Sequence, residues 1–285
     1  MKYDLAIVHR VCPILAKTAD HFSDKYTMVE ATTASLANAL VGFKVKLVVI
    51  LDGCPPEYER LFNETFGSRE HETVDFSCIS TPSIGNNATY AKQLEILSAV
   101  ASEARYLYFS EDDYIYKDDA FVAMMDFLNQ DGVDFVTPLD HPDGYQRERE
   151  NHMASVVRVS KWCHWKEVSS TCCTFMLKSD TMPMAKKSLS YYANGGSDFI
   201  MGLLLTKKGV FSPSVVIGGA IKYVFGRQRN WMCGIPLLAW LKLGPRLIYA
   251  HRFRLWSPLP TLAVHLCTPS RPPFAELILG KCIKS

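Results

Sequence analysis

Apolar positions in the first half of the chain fall into short continuous runs, separated by stretches with helical spacing. Residues 4–9, "DLAIVH", form the first run. "TMVEATTASLANAL" at 27–40 follows, with Ala and Leu recurring at the period of a helix. "KVKLVVILDG" is a second run, ending in Asp52 and Gly53, and "PPEYERLFNETF" opens with prolines suited to a helix N-terminus. "TVDFSCIS" predicts a third strand, and "NNATYAKQLEILSAVASEA" a helix capped by Asn86 or Asn87. "RYLYFS" predicts a fourth strand, "DDAFVAMMDFLNQDG" a further helix and "VDFVTPL" a fifth strand. Strands apolar on both faces, alternating with helices, predict an α/β fold: a Rossmann-like, mostly parallel sheet flanked by helices. Ligands bind such a sheet beyond the carboxyl ends of its strands.

The fourth strand ends in three consecutive carboxylates, Glu111, Asp112 and Asp113, within "YLYFSEDDYIY". Adjacent carboxylates repel one another, and a hard divalent cation relieves that repulsion through oxygen ligands. Mn2+ or Mg2+ held in this way bridges to phosphate oxygens. The plain alternative is a solvated acidic turn. A P-loop is excluded, because no G-x-x-x-x-G-K-[ST] occurs. The first loop, "HRVCP", has no glycine, which argues against a dinucleotide oxidoreductase.

The chain has 285 residues, 48% of them hydrophobic, which is enough for one large domain or two small ones with a sizeable core. Its N-terminus lacks the apolar stretch of a signal peptide and reads as a first strand. The nine cysteines include no C-x-x-C pair, and adjacent Cys172 and Cys173 suit neither a disulfide nor a zinc knuckle. Reduced thiols and a cytoplasmic location are the expectation. The overall charge of +2 conceals an asymmetry: residues 199–285 hold twelve Lys or Arg against one acid, Glu276. Such a basic stretch serves solubility, or faces phosphates of a substrate or of anionic lipid. No nucleic-acid partner is expected. Charges interrupt the apolar runs of residues 210–256 before about twenty accumulate, so no spanning helix is expected. Peripheral contact at the inner face of the membrane and a buried helical subdomain both remain open.

Several of these segments together resemble GT-A-fold glycosyltransferases, of the kind grouped with the family-two inverting enzymes. They are "VVILDG", "GNNATYAKQLEIL", "SEDD", "VDFVTPLDHPDGY", "HWKEVSSTCCTF", "GGSDFIMGLLLTKKG" and "SPLPTLAVHL", which span most of the chain. The resemblance implies a metal-dependent transfer of a sugar from a nucleotide-sugar, with a UDP-sugar favoured, to a hydroxyl of a glycan or lipid-linked acceptor. It implies a nucleotide-binding and catalytic core over 1–208, and a C-terminal basic and apolar segment over 209–285 that returns to the core with a histidine.

The resemblance also assigns residues. Asp113 and His265 would ligate the metal, and Asp112 and Glu111 would face the ribose or donor sugar. His9, Arg10, Asp52, Asn87 and Tyr90 would surround the nucleotide. Asp52 also suits an Asp-Gly turn, Arg10 a plain loop cation and Asn87 a helix cap. Asp198, after Gly195, Gly196 and a capping Ser197, takes the place of the general base, or complements a helix dipole. The acid expected just before it is replaced by Ser197. Trp162, His164 and Trp165 offer sugar-stacking faces, or large side chains for a core. "DHPDGYQRERENH" reads as a flap that orders on substrate or as a solvated loop. Two rival functions stand beside this one. One is a catalytically inactive carbohydrate- or nucleotide-binding or scaffold protein on the same fold. The other is a sugar nucleotidyltransferase, which would want a glycine-rich first loop.

Overall fold

A computed structural model describes residues 1–15, 22–67, 72–146, 155–225, 234–267, 271–272 and 275–282. Strands β1 (Tyr3–Val11), β2 (Val45–Asp52), β3 (Val74–Thr81) and β4 (Ala104–Glu111) alternate with helices α1 (Lys25–Ala39), α2 (Pro56–Phe66) and α3 (Asn86–Ala99). These four strands are parallel and lie in the order β3-β2-β1-β4, so the order reverses between β1 and β4. Beyond β4 the sheet continues through β9 (Phe175–Lys178), β6 (Phe135–Val136), β10 (Leu255–Leu259), β8 (His164–Val168) and β7 (Val157–Val159). β9 is antiparallel to β4 and β6, and β8 is antiparallel to β10 and β7. The outcome is the expected mixed α/β fold, with a large, mostly parallel sheet covered by helices.

Alternation along the central strands explains why both faces read as apolar. Leu5, Ile7, Leu47 and Val49 pack with Val29, Leu36 and Phe62 on one side. Ala6, Val8, Val48 and Ile50 pack with Tyr90, Leu94 and Leu189 on the other. Each such Val, Leu, Ile or Phe side chain, fully buried, contributes about 1.5–3 kcal/mol. Edge strand β3 instead alternates half-buried and exposed positions.

Two sequence expectations need correction. Helix α3 is capped by Gly85 at φ +85°, and neither Asn86 nor Asn87 caps it. The Asn87 amide is spent elsewhere, donating to the carbonyls of Tyr192 (2.7 Å) and Gly196 (3.4 Å). The fifth strand shrinks to Phe135–Val136, since Pro138 has no N–H for the ladder.

The second half holds α4 (Ala120–Leu128), α5 (Asp143–Gln146), α6 (Met182–Ala193), α7 (Asp198–Thr206), α8 (Pro213–Phe225), α9 (Ile235–Tyr249) and α10 (Ala275–Cys282). The 209–285 stretch joins the sheet itself, because β10 lies between β6 and β8. Downstream, β11 (Ala263–His265) pairs antiparallel with β5 (Tyr114–Tyr116), setting His265 opposite Tyr114. Among the described residues no helix is long and apolar enough to cross a membrane. Residues 147–152 of the expected flap and 226–233 of the basic stretch lie outside the described residues.

Candidate active site

The carboxyl ends of β1 and β4 meet where the strand order reverses, the place an open α/β sheet reserves for ligands. The three carboxylates lie here, and each has its own cation. Arg10 is in register with Glu111, and its Nη2 donates to Glu111 Oε1 at 2.5 Å. Thr174 Oγ1 donates to Glu111 Oε2 at 2.9 Å. Lys25, at the start of α1, lies 2.8 Å from Asp112 Oδ1, and the Cys12 N–H donates to Asp112 Oδ2 at 2.9 Å. His265 Nε2 lies 2.8 Å from Asp113 Oδ2. Buried carboxylates must be paired, since an unpaired buried charge costs several kcal/mol. Glu111 and Asp112, expected to face a ribose or sugar, are engaged by Arg10, Thr174 and Lys25 and also line the smaller cavity.

Asp113 and His265 are 152 residues apart in sequence, and the β5–β11 pairing brings them together. The imidazole stacks on the Tyr114 ring, with centroids 4.7 Å apart and planes 9° apart. Burial pushes the Asp113 carboxyl up, but His265 outweighs it and leaves the group lowered to about 2. The pair also fits a divalent cation. Octahedral ligands at about 2.1 Å stand roughly 3 Å apart at neighbouring corners, close to the observed 2.8 Å. One carboxylate and one imidazole leave the other positions of such an ion to phosphate oxygens and water.

A cavity of about 210 Å³ opens beside the cluster, lined by Arg10, Lys25, Asp52, Asn86, Asp112 and Asp113 among others. Asp52 lines it, yet its oxygens accept from Thr81 Oγ1 (2.7 Å), the Ile84 N–H (2.6 Å) and the Gly85 N–H (2.8 Å). It thereby shapes the loop entering α3. Gly53, at φ +68°, completes that turn, and a Cβ there would meet Ser83 Oγ at 2.2 Å. His9 and Tyr90, expected at the nucleotide, are core residues instead. His9 is 1% exposed and contacts Ser110 Oγ at 2.8 Å, and burial lowers its pKa to about 3. Tyr90 is fully buried against Phe109 and Tyr192.

A second cavity, of about 330 Å³, is lined by Asp140, His141, Tyr145, Lys166, Cys172 and Asp198 among others. Ser197 caps α7, its Oγ accepting the Ile200 N–H at 3.3 Å. Asp198 accepts its neighbour Phe199 N–H at 2.7 Å. The Asn87 amide, held on the Gly196 carbonyl, ties this loop to the first turn of α3. Asp140, which sequence reasoning missed, accepts the Tyr145 hydroxyl at 2.8 Å, and burial pushes its carboxyl up to about 6.

Cys172 and His141 were also missed. Burial pushes the Cys172 thiol up, but hydrogen bonds with His141 and His265 outweigh it and leave its pKa lowered. Both segments, "LDHPDGY" and "SSTCCTF", were visible in the sequence, but their convergence was not. Of the stacking candidates, Trp165 is a core residue instead. Trp165 is fully buried, lying flat on Phe127 with centroids 4.4 Å apart. Trp162 and His164 are exposed on and before β8, and neither lines a cavity described here.

No protein-family model matches the chain, and no curated protein matches it. Similar solved structures include a galactosyltransferase, LgtC, in complex with donor and acceptor sugar analogues: 11% identity, 98% of this chain and 95% of that chain covered, TM-score 0.43. Another is TarS 1–349 of S. aureus, with 13% identity, 70% and 55% covered, TM-score 0.43. A third is the mannosyltransferase PcManGT of Pyrobaculum calidifontis in complex with GDP-Man and Mn2+, with 12% identity, 51% and 38% covered, TM-score 0.34. The likeness is one of architecture, and the site stands on its own geometry.

Proposed function

We propose that the chain is a nucleotide-sugar glycosyltransferase whose donor diphosphate lies in the smaller cavity and whose acceptor lies in the larger one. One observation carries this reading. Asp113 lines the first cavity, and its partner His265 also bonds Cys172, which lines the second. The two compartments thus meet at one carboxylate–imidazole pair. The first turn of α3, with Asn86 and Thr89, lines the donor side, where a helix N-terminus favours phosphate. Arg10 and Lys25 line that side as well, each paired with a carboxylate of the β4 end.

Asp113 and His265 would hold a divalent cation, Mn2+ or Mg2+, which when bound compensates the charge of a departing diphosphate. Asp198 takes the proton from the attacking hydroxyl, and inversion follows if attack is in line with that departure. Asp140 and Glu167 also line the acceptor cavity, and the Asp140 pKa near 6 suits the same task. UDP is the favoured nucleotide on the sequence resemblance. Exposed Leu241, Ile248 and Tyr249 on α9, near Lys242 and Arg246, suit a lipid-linked acceptor at an anionic surface. The test is slow hydrolysis of a panel of nucleotide-sugars with Mn2+. Release of one nucleotide supports the reading, and UDP binding without turnover of any sugar favours an inactive binding protein.

A further inference from the structure

His141, Cys172 and His265 come from three distant segments: the loop before α5, the loop between β8 and β9, and the end of β11. One ligand atom from each lies within 4.8 Å of the other two. We propose that these three residues form a binding site for a thiophilic divalent cation of the zinc class, one that shares His265 with the Asp113 position and takes its Nδ1 while Nε2 stays on the Asp113 carboxylate, so the two ions are alternatives at this imidazole.

The donor chemistry sets the class. A thiolate with two imidazoles suits zinc, whereas manganese and magnesium prefer oxygen ligands. Tetrahedral ligation at about 2.0–2.3 Å places ligand atoms roughly 3.4–3.8 Å apart. Closing the widest separation by about 1 Å is within reach of side-chain rotation.

The surroundings supply what such sites need. Asp113 holds Nε2 of His265 at 2.8 Å, so the ring offers Nδ1 to an ion. This is the carboxylate–histidine–metal arrangement that orients a ligand and raises its basicity. The Cys172 loop is anchored on both sides: Thr171 Oγ1 bonds Thr137 Oγ1 at 3.0 Å, and Thr174 Oγ1 bonds Glu111 at 2.9 Å. His141 and Cys172 line the larger cavity. The fourth position of a tetrahedral ion therefore faces that cavity, open to a hydroxyl or phosphate oxygen of a ligand. Three protein ligands with one open position distinguish this arrangement from a closed structural site.

The experiment is a titration of chelator-treated full-length protein with Co2+, followed by absorbance. The expected result is one equivalent bound with a thiolate-to-cobalt charge-transfer band that Zn2+ abolishes. Cys172→Ser, nearly isosteric, should lose the band. His141→Gln should keep it while binding at least 10-fold more weakly. Asp113→Asn should weaken binding about 10- to 100-fold, the usual effect of losing such an outer partner. No band in the parent, or an unchanged band in Cys172→Ser, would overturn the proposal. Calorimetry of UDP with Mn2+ on the parent keeps the two readings distinguishable. A Cys172-dependent band without UDP binding leaves this site standing and removes the donor reading. UDP binding without the band does the reverse.

Discussion

The carboxylates on the two sides of the site are held in opposite ways. At the end of β4, Glu111, Asp112 and Asp113 each face a cationic or protonatable partner: Arg10, Lys25 and His265. In the larger cavity, Asp140 is met by a neutral tyrosine hydroxyl and Asp198 by the N–H of its own helix. The first arrangement pairs each carboxyl with a cationic partner before any ligand arrives, although burial still pushes Asp112 up to about 6. The second leaves the Asp140 carboxyl, pushed up to about 6 by burial, able to gain and lose a proton near neutrality. On the proposed function, charge holding falls to the β4 side and proton transfer to the larger cavity, although the residue types are the same. The partners decide the role.

The sharpest way to break this division is to remove proton transfer alone. Asp198→Asn should lower transfer by roughly 10²-fold or more with little change in donor affinity, measured as kcat against UDP binding. If Asp140→Asn produces that loss and Asp198→Asn does not, the base is Asp140. On the charge-holding side, Lys25→Met strands Asp112 in a buried position. It should cost about 3–5 kcal/mol of unfolding free energy, read by urea denaturation.

Gly202, in α7, tests how the proposed base, Asp198, is placed. A Cβ there would come within 2.5 Å of Ser170 Cβ and 2.8 Å of its Cα. Gly202→Ala should destabilise by about 1–3 kcal/mol and depress kcat by moving Asp198.

His9 sharpens the comparison from inside the core. Its folded pKa is lowered to about 3 by burial, while the unfolded chain keeps about 6.5. The unfolded state therefore binds the extra proton below pH 6.5, and stability is lost as pH falls toward the folded value. The neutral variant His9→Asn lacks this loss. Its deficit relative to the parent should shrink by about 2 kcal/mol between pH 7.5 and pH 5, measured by urea unfolding at both.

The fold was legible because β1, β2 and β4 carry apolar residues at both parities, which only a sheet covered on two sides tolerates. The short strands β7, β8 and β9 of the second half gave no comparable signal, since three to five residues hold too little pattern. His265 was found through a resemblance, and the structure sets it beside Asp113 by strand pairing. Lys25 was overlooked as the first residue of a helix far from the carboxylates in sequence. Cys172 was overlooked because its only neighbouring thiol, Cys173, points to no metal spacing. Trp162 and Trp165 are alike in sequence, yet one is exposed and the other lies on Phe127 in the core. What the sequence hides here is pairing between distant segments.

The central claim is that Asp113 links a divalent cation to a nucleotide diphosphate in the smaller cavity. Calorimetric titration of UDP into the parent and into Asp113→Ala, each with and without Mn2+, tests it most directly. The account predicts binding that requires Mn2+ in the parent and none in Asp113→Ala, with circular dichroism unchanged. Equal UDP affinity in the two proteins, or binding indifferent to Mn2+, would contradict it.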